Sequence, residues 1–237
     1  MNVVLLRVGV DAGAGGMQGP LFADQSFELI PIPDSSGQGS RTYGQTLGIK
    51  GVPLSDYFPA GSRHRRVGQT MHLDPEFEAF TYGDPTRPKA GLRHLQPGDL
   101  LVFYAGLAGW DHQSPAALYL VGYFVVEWAG LATALPEDEV LARCGSNFHV
   151  RHRPVFERQR QRLVLVKGGA GSRLLTRAYC ISRTGTNGAG APLKVLSPEA
   201  QAIFSDFAGK ISIQRSPPRW VPASHVYRAR AFVESLP

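Results

Sequence analysis

Acidic and histidine side chains are the first candidates for chemistry in this sequence. Trp110, Asp111 and His112 are consecutive, so a carboxylate could orient an imidazole beside an indole that lines a pocket. Asp11 and Asp84 each stand in a glycine-containing segment. We predict Asp11, Asp84 and His112 as catalytic acid or base candidates, because carboxylates and imidazoles transfer protons near neutral pH. The structural alternatives are a covering role for Trp110 and an Asx turn at Asp84.

Aromatic side chains in polar loops indicate a surface on which a flat ring can stack. Residues 40–44 and 81–87 each combine a tyrosine, hydroxyl groups, a glycine and an arginine. Tyrosine and tryptophan rings stack on any nucleobase, whatever its sequence. Packing of Tyr82 on the core is the alternative. The predicted base-binding set is Tyr43, Tyr82, Tyr104, Trp110 and Asp111.

Basic residues are concentrated in residues 151–183, where Glu157 is the one acid. The whole chain carries a net charge of +6, which favours polyanionic partners. A solvated face, whose long side chains cover apolar surface, is the structural alternative. The predicted phosphate-binding residues are Arg41, Arg87, Arg151, Arg153, Arg215 and Arg219.

Neither the histidines nor the cysteines have the spacing of a known metal site. The seven histidines are scattered, and Cys144 and Cys180 form no CxxC pair, so we predict no metal site. Residues 11–19 are glycine-rich but lack the Lys-Ser/Thr of a Walker loop and a clear helix after the glycines. A turn is favoured there over a phosphate cradle. The sequence names no cofactor.

Composition sets the class of protein that must position these side chains. Hydrophobic residues make up 43% and charged residues 19% of the 237-residue chain, which is typical of a globular protein. The 27 glycines and 18 prolines predict long turn-rich loops. No apolar run is long enough to cross a bilayer, and no signal peptide is evident. We therefore expect one domain over residues 1–237, cytoplasmic and without a membrane partner.

Periodicity and turn residues predict a mixture of strands and helices. Apolar, β-branched runs predict strands at residues 3–10, 27–30, 162–167 and 174–182. Two stronger apolar runs, at residues 100–106 and 118–127, predict a hairpin at the centre of the fold. Helical spacing predicts helices over residues 137–144 and 197–207, the second with an N-cap serine and a proline at its first position.

The central hairpin resembles the one shared by PUA-like domains of the EVE and ASCH kind. The resemblance is carried by the Pro97-Gly98-Asp99 turn, the strand Leu100-Leu-Val-Phe-Tyr104 and the answering Leu120-Val-Gly-Tyr-Phe124. Such domains are small β-barrels that bind RNA or modified bases. The expected fold is therefore α/β (α+β), with a mixed sheet or a PUA-like β-barrel core, peripheral helices and long Gly/Pro-rich loops.

A second resemblance extends over nearly the whole chain. The segments that carry it are Arg7-Val-Gly-Val-Asp11, Pro31-Ile-Pro33, Ser40-Arg-Thr-Tyr-Gly44, Asp74-Pro-Glu-Phe-Glu78, Thr81-Tyr-Gly-Asp-Pro-Thr86, residues 98–106 and Gln214-Arg-Ser-Pro-Pro-Arg-Trp220. They resemble the nucleotide modification associated domain 3 family. The resemblance implies an association with systems that modify bases in DNA or nucleotides, and it assigns no catalytic residue.

Three functions are compatible with these patterns. The leading hypothesis is a protein that binds a nucleic acid or nucleotide, with DNA favoured, and recognises a modified base. The alternative is an enzyme that catalyses a step of DNA base or nucleotide modification. The third is a scaffold that associates with other base-modification enzymes. The pattern that discriminates them is whether the acidic and histidine residues or the aromatic residues converge on one cleft.

Overall fold

Short helices and loops surround a sheet built from the most apolar segments of the chain. A computed structural model describes residues 1–214 and 217–237. The strands are β1 (Val3–Arg7), β2 (Gly19–Leu21), β3 (Ile32–Pro33), β4 (Met71–His72), β5 (Thr81–Asp84), β6 (Leu100–Gly109), β7 (Ala117–Leu131), β8 (Val164–Gly168), β9 (Arg173–Cys180), β10 (Ser182–Thr186), β11 (Pro192–Leu196) and β12 (Arg219–Trp220). The α-helices are α1 (Ala60–Arg66), α2 (Glu137–Cys144), α3 (Phe148–Arg151), α4 (Arg153–Gln159), α5 (Pro198–Phe204) and α6 (Ala223–Ser235), and 3₁₀ segments cover Leu54–Tyr57 and Arg87–His94.

The main sheet has the strand order β12-β1-β6-β7-β8-β5, with β2 paired to β6 and β9 paired to β7. β1 runs parallel to β6, whereas β6 and β7 are antiparallel. The mixed α+β fold is therefore confirmed. Within the described residues the end strands β12 and β5 do not pair with each other, so the sheet is not closed into the PUA-like barrel considered above.

The predicted central hairpin is confirmed as β6 and β7. Nearly all of β6 is buried, as expected of a strand covered on both faces. Gly98, before β6, has a φ of +86°, which glycine adopts without strain. The adjacent Asp99 is buried and accepts hydrogen bonds from the backbone N of Asn2 at 2.6 Å and of Gln96 at 2.9 Å. Asp99 thereby links the start of β1 to the start of β6.

Two helices were predicted from local signals, and both are present. α2 has the predicted bounds, with acidic residues in its first turn. α5 begins after Ser197, whose hydroxyl accepts a hydrogen bond from the backbone N of Ala200 at 3.2 Å. It ends three residues earlier than predicted, because Ser205 has a φ of +89° that a right-handed helix cannot continue through. None of the described helices has the length and apolar character needed to cross a membrane.

The prediction of a strand at residues 27–30 is wrong. Phe27 forms only an isolated bridge to Leu21. The strand in this region is β2, which lies at the end of the glycine-rich loop and pairs with β6. Pro31 and Pro33 follow the segment and remove amide donors that a longer ladder would need.

The core has three clusters, and the candidate site lies among the elements between them. The largest surrounds β1, β6 and β7. A second gathers the loop before β4 around Tyr43, Tyr57 and Phe58. The third packs α2, α3 and α4 against β8. β4, β5 and α3 meet where these clusters approach one another, and they carry the side chains of the candidate site.

Candidate active site

His72, Asp74 and His149 converge on one point in the interior. His72 Nε2 lies 3.1 Å from His149 Nε2. Asp74 Oδ2 lies 3.4 Å from His149 Nε2 and 3.8 Å from His72 Nε2. The side chains of Asp74 and His149 are only 5% and 6% exposed. A buried carboxylate between two imidazoles is an arrangement typical of catalytic and metal-binding sites.

Local structure holds His72 and Asp74 in place. His72 ends β4 and pairs across the strands with Ile32. Its ring packs on Phe148, with the ring centroids 4.0 Å apart. Two residues further along the extended chain, both carboxylate oxygens of Asp74 accept a hydrogen bond from the backbone N of Gly83 on β5, at 3.0 Å each. The Asp74 carboxylate is therefore anchored to the main sheet.

His149 is held through its backbone and through its ring. Asn147 caps α3, and its Oδ1 accepts a hydrogen bond from the backbone N of His149 at 3.0 Å. His149 Nδ1 lies 2.6 Å from Gln159 Oε1 at the end of α4. Because an amide oxygen can only accept, Nδ1 carries a hydrogen and donates a hydrogen bond to Gln159 Oε1. His149 Nε2 is then the atom that faces Asp74 and His72.

Burial and mutual charge shift the pKa values of all three side chains. Burial, with the neighbouring His149, lowers the pKa of His72 to about 3. Burial raises the pKa of Asp74 to about 6, although the hydrogen bond and charge of His149 oppose it. Burial also acts to lower the pKa of His149, but the hydrogen bond and charge of Asp74 outweigh it, so that pKa is raised. Such shifted groups in a cleft mark a candidate functional site.

The cluster opens into a cavity of about 340 Å³, within the range of about 300–1,000 Å³ found for small-molecule pockets. Its polar wall includes Asp84 and Lys89, whose Oδ2 and Nζ atoms lie 3.3 Å apart. Asp84 also accepts hydrogen bonds from the hydroxyl of Tyr82 at 3.1 Å and the backbone N of Thr86 at 2.6 Å. The cavity is lined by Arg7, Val8, Gly9, Ile32, His72, Asp74, Tyr82, Gly83, Asp84, Pro85, Thr86, Lys89 and His149.

A basic groove adjoins this cavity and shares Pro85 and Thr86 with it. The groove has a volume of about 420 Å³, and Arg87, Arg93 and Arg162 line it without an acidic neighbour in the lining. All three arginines are exposed. In the part of the chain that the structure describes, none of them forms an ion pair. Free guanidinium groups in a groove suit phosphate oxygens.

Of the predicted catalytic residues, only Asp84 lines the cavity. Asp11 closes its own glycine-rich turn, accepting from the backbone N of Gly13 and Ala14 at 2.7 Å each, and pairs with Arg7. This agrees with the turn favoured from the sequence. His112 Nδ1 lies 3.0 Å from Asp111 Oδ1, and Asp111 is exposed.

The predicted base-binding residues are dispersed. Tyr43 and Tyr104 are fully buried, and their hydroxyls donate to the carbonyls of Pro31 at 2.7 Å and Ile213 at 2.9 Å. Trp110 is 48% exposed and packs edge-on against Tyr57. Asp111 accepts from the backbone N of Ala23 at 2.9 Å. Tyr82 lines the cavity.

The predicted phosphate-binding residues have three kinds of surroundings. Arg87 lines the basic groove, and Arg151 lines a smaller pocket beside Phe148 and His152. Arg41 pairs with Glu78 at 2.7 Å, and Arg153 pairs with Glu137 and Glu157. Arg219 donates to the carbonyl of Ser212 at 3.1 Å. Arg215 lies outside the described residues.

The His72–Asp74–His149 cluster was not predicted from the sequence, because its members do not have the spacing of a known zinc site. No metal site was predicted from the sequence, whereas these three side chains together could hold a metal ion. One local signal was available, since His72 and Asp74 are two residues apart in an extended segment and so point to the same side. Imidazole and carboxylate groups bind first-row transition metals, and the three ligand atoms lie within 4.8 Å of one another.

Comparison with known proteins identifies the family to which the chain belongs. No curated protein and no solved structure matches the chain. The family model for nucleotide modification associated domain 3 matches residues 2–234, and this range contains the cavity, the basic groove and every residue of the cluster. The chain therefore belongs to the nucleotide modification associated domain 3 family.

Proposed function

We propose that this protein is an enzyme that catalyses a step in the modification of a base within a nucleic-acid strand, with DNA favoured. The family name supports an association with nucleotide modification. The observation that carries the proposal is the buried cluster of His72, Asp74 and His149 at the wall of a ligand-sized cavity. Buried, pKa-shifted polar side chains in a cavity favour an enzyme over a scaffold, because burying them costs stability.

The cavity has the polar groups that a base needs. Asp84 and Lys89 lie on one wall and can accept from and donate to the polar edge of a base. Tyr82 is almost fully buried behind them, and burial keeps its pKa well above the usual value, so its hydroxyl remains a donor. A base that enters this cavity must leave its stack, as bases do in other enzymes that modify them.

The basic groove supports a strand, rather than a free nucleotide, as the substrate. Arg87, Arg93 and Arg162 line it, and the groove meets the cavity at Pro85 and Thr86. A strand whose base occupies the cavity would place its neighbouring phosphates in the groove. Phosphate contacts of this kind position the substrate while the cavity selects the base.

The proposal is tested by incubating single-stranded and duplex DNA oligonucleotides with the protein and a small-molecule extract of bacterial cells. Nucleosides released by digestion are then analysed by mass spectrometry. A new or altered nucleoside that needs the protein supports the enzyme. Tight binding of modified over plain DNA with no product would overturn it in favour of a reader of modified bases, and neither binding nor product would favour a scaffold.

The groove is tested separately by DNA binding at several salt concentrations. The triple variant Arg87→Gln, Arg93→Gln, Arg162→Gln removes three charges from the groove. The control Arg65→Gln, Arg177→Gln, Arg183→Gln removes three charges from exposed positions elsewhere. We expect only the groove variant to weaken binding. It should reduce the steepness of log K against log salt by about 2–3, since each lost phosphate contact reduces it by roughly 0.7–0.9. Equal effects of both variants would contradict the assignment of the groove.

A further inference from the structure

We propose that His72, Asp74 and His149 together bind one divalent first-row transition-metal ion, of the class to which Fe(II) and Zn(II) belong. The inference rests on the direction in which the ligand atoms face, on the distances between them and on the contacts that hold them. The catalytic use of this ion rests on the proposed function, whereas its binding does not.

The ring nitrogens of His72 and His149 and one carboxylate oxygen of Asp74 face one another at the centre of the cluster, where they can share one positive ion. Gln159 Oε1 accepts a hydrogen bond from His149 Nδ1, so Nε2 is the ring nitrogen that is available to bind a metal ion. His149 Nε2 lies 3.4 Å from Asp74 Oδ2 and 3.1 Å from His72 Nε2. Lone pairs repel at these distances unless a proton or a metal ion lies between them. A metal ion can bind all three atoms at once, whereas each proton bridges only two of them.

The distances fit a shared ion. Two nitrogen atoms bound to one ion at about 2.0–2.1 Å lie roughly 2.8–3.4 Å apart when the angle between the bonds is about 90–109°. The His72–His149 distance of 3.1 Å and the His149–Asp74 distance of 3.4 Å match that range. The His72–Asp74 distance of 3.8 Å is longer, so this edge of the triangle has to shorten when the ion binds.

Neighbouring groups already hold the ligands in the way that metal sites require. Ligating histidines commonly donate their second ring N–H to an oxygen, which fixes the tautomer. Gln159 Oε1 is the acceptor for His149, and the backbone N of Gly83 donates to the carboxylate of Asp74. Phe148 packs against the ring of His72. Little rearrangement is therefore needed before an ion can bind.

Three protein ligands leave coordination positions open, and these positions would face the cavity that the same residues line. Two histidines and one carboxylate with open positions occur both in non-haem iron sites and in catalytic zinc sites. A water molecule, a co-substrate or a polar atom of the base would complete the shell.

The experiment is metal binding to the full-length chain, freed of metal with a chelator and dialysed against Zn(II), Mn(II), Co(II) or, without oxygen, Fe(II). Bound metal per chain is measured by elemental mass spectrometry, and affinity by calorimetry. We expect one ion per chain, and a loss of affinity of at least about 100-fold in Asp74→Asn and in His72→Gln. The exposed-histidine variant His64→Ala should bind like the wild type.

A second measurement avoids dependence on variants that fail to fold. In ¹⁵N-labelled wild-type protein, one equivalent of Zn(II) should shift the ring nitrogen signals of two of the seven histidines. Metal should also raise Tm, because it binds only the folded chain. The proposal would be overturned if none of the four ions bound stoichiometrically. It would also be overturned if the shifted signals came from histidines other than His72 and His149. Modification activity without metal binding would overturn it while leaving the proposed function intact.

Discussion

The backbone of Gly83 passes so close to Asn147 that a Cβ atom on Gly83 would lie 2.6 Å from Asn147 Oδ1. The same Cβ would lie 3.0 Å from His149 Cδ2. The backbone N of Gly83 holds the carboxylate of Asp74, and β5 packs against the start of α3 at the same residue. Both contacts are possible only because Gly83 has no side chain. The close approach joins the three elements of the site.

Gly83→Ala should displace Asn147 and His149. We expect the free energy of unfolding to fall by about 1–3 kcal/mol, as for other overpacked interiors, and Zn(II) affinity to fall at least about 10-fold because the displaced His149 is a ligand. Urea unfolding and calorimetry measure the two effects. Gly188→Ala is the control, since a Cβ there meets nothing within 4 Å. Unchanged metal affinity in Gly83→Ala would contradict the role assigned to this contact.

Asn147→Ala should lower both the stability of the protein and its affinity for the metal ion. The side chain caps α3 and holds the backbone N of His149 at 3.0 Å, so its loss should cost about 1 kcal/mol of stability and about 10-fold in metal affinity. Ser197→Ala removes the matching cap of α5 and should cost similar stability with no change in metal affinity. If both variants bound metal equally well, Asn147 would have only a capping role.

Tyr43→Phe should lower stability without weakening DNA binding. The Tyr43 hydroxyl donates to the carbonyl of Pro31 at 2.7 Å inside the second core cluster, and losing a buried hydrogen bond costs about 1 kcal/mol. Urea unfolding and a DNA-binding titration measure the two quantities. Weaker DNA binding at unchanged stability would instead support the base-binding role predicted from the sequence.

The two cysteines should differ in reactivity. Cys144 is buried in α2, and burial raises the pKa of its thiol to about 12, whereas Cys180 is exposed. A thiol with a raised pKa remains protonated and unreactive at pH 8. Dithionitrobenzoate should therefore label one thiol per native chain and two after unfolding, and Cys180→Ser should show none in the native state. Rapid labelling of two thiols in the native wild type would contradict the burial of Cys144.

Local sequence signals account for the parts of the fold that were predicted. β6 and β7 are apolar along almost their full length, and α5 begins with Pro198 after the N-cap Ser197. α6 was not predicted. Its buried residues Val226, Ala229 and Val233 form one narrow stripe, and the rest of its surface is largely polar and includes Tyr227, which is 83% exposed. A single narrow apolar stripe is a weak helical signal without the tertiary contacts that bury it.

The candidate site could be predicted only in part, because its key pairing is long-range. His72 and His149 are 77 residues apart in sequence, and no local pattern indicates that β4 meets α3. The same limit applies to Tyr43 and Tyr104, whose loop and strand positions do not reveal that both rings are enclosed by the core. The Asx turn at Asp84, which was the structural alternative to its catalytic role, could be foreseen because neighbouring residues form it.

The most direct test of the account compares the wild type with Asp74→Asn in the nucleoside mass-spectrometry assay. Asp74→Asn keeps the size of the side chain and an oxygen for the backbone N of Gly83 but removes the charge at the centre of the site. We predict a modified nucleoside with the wild type and at least about 100-fold less of it with Asp74→Asn, while DNA affinity stays the same. Equal product from both proteins would contradict the central claim that this cavity carries out the modification.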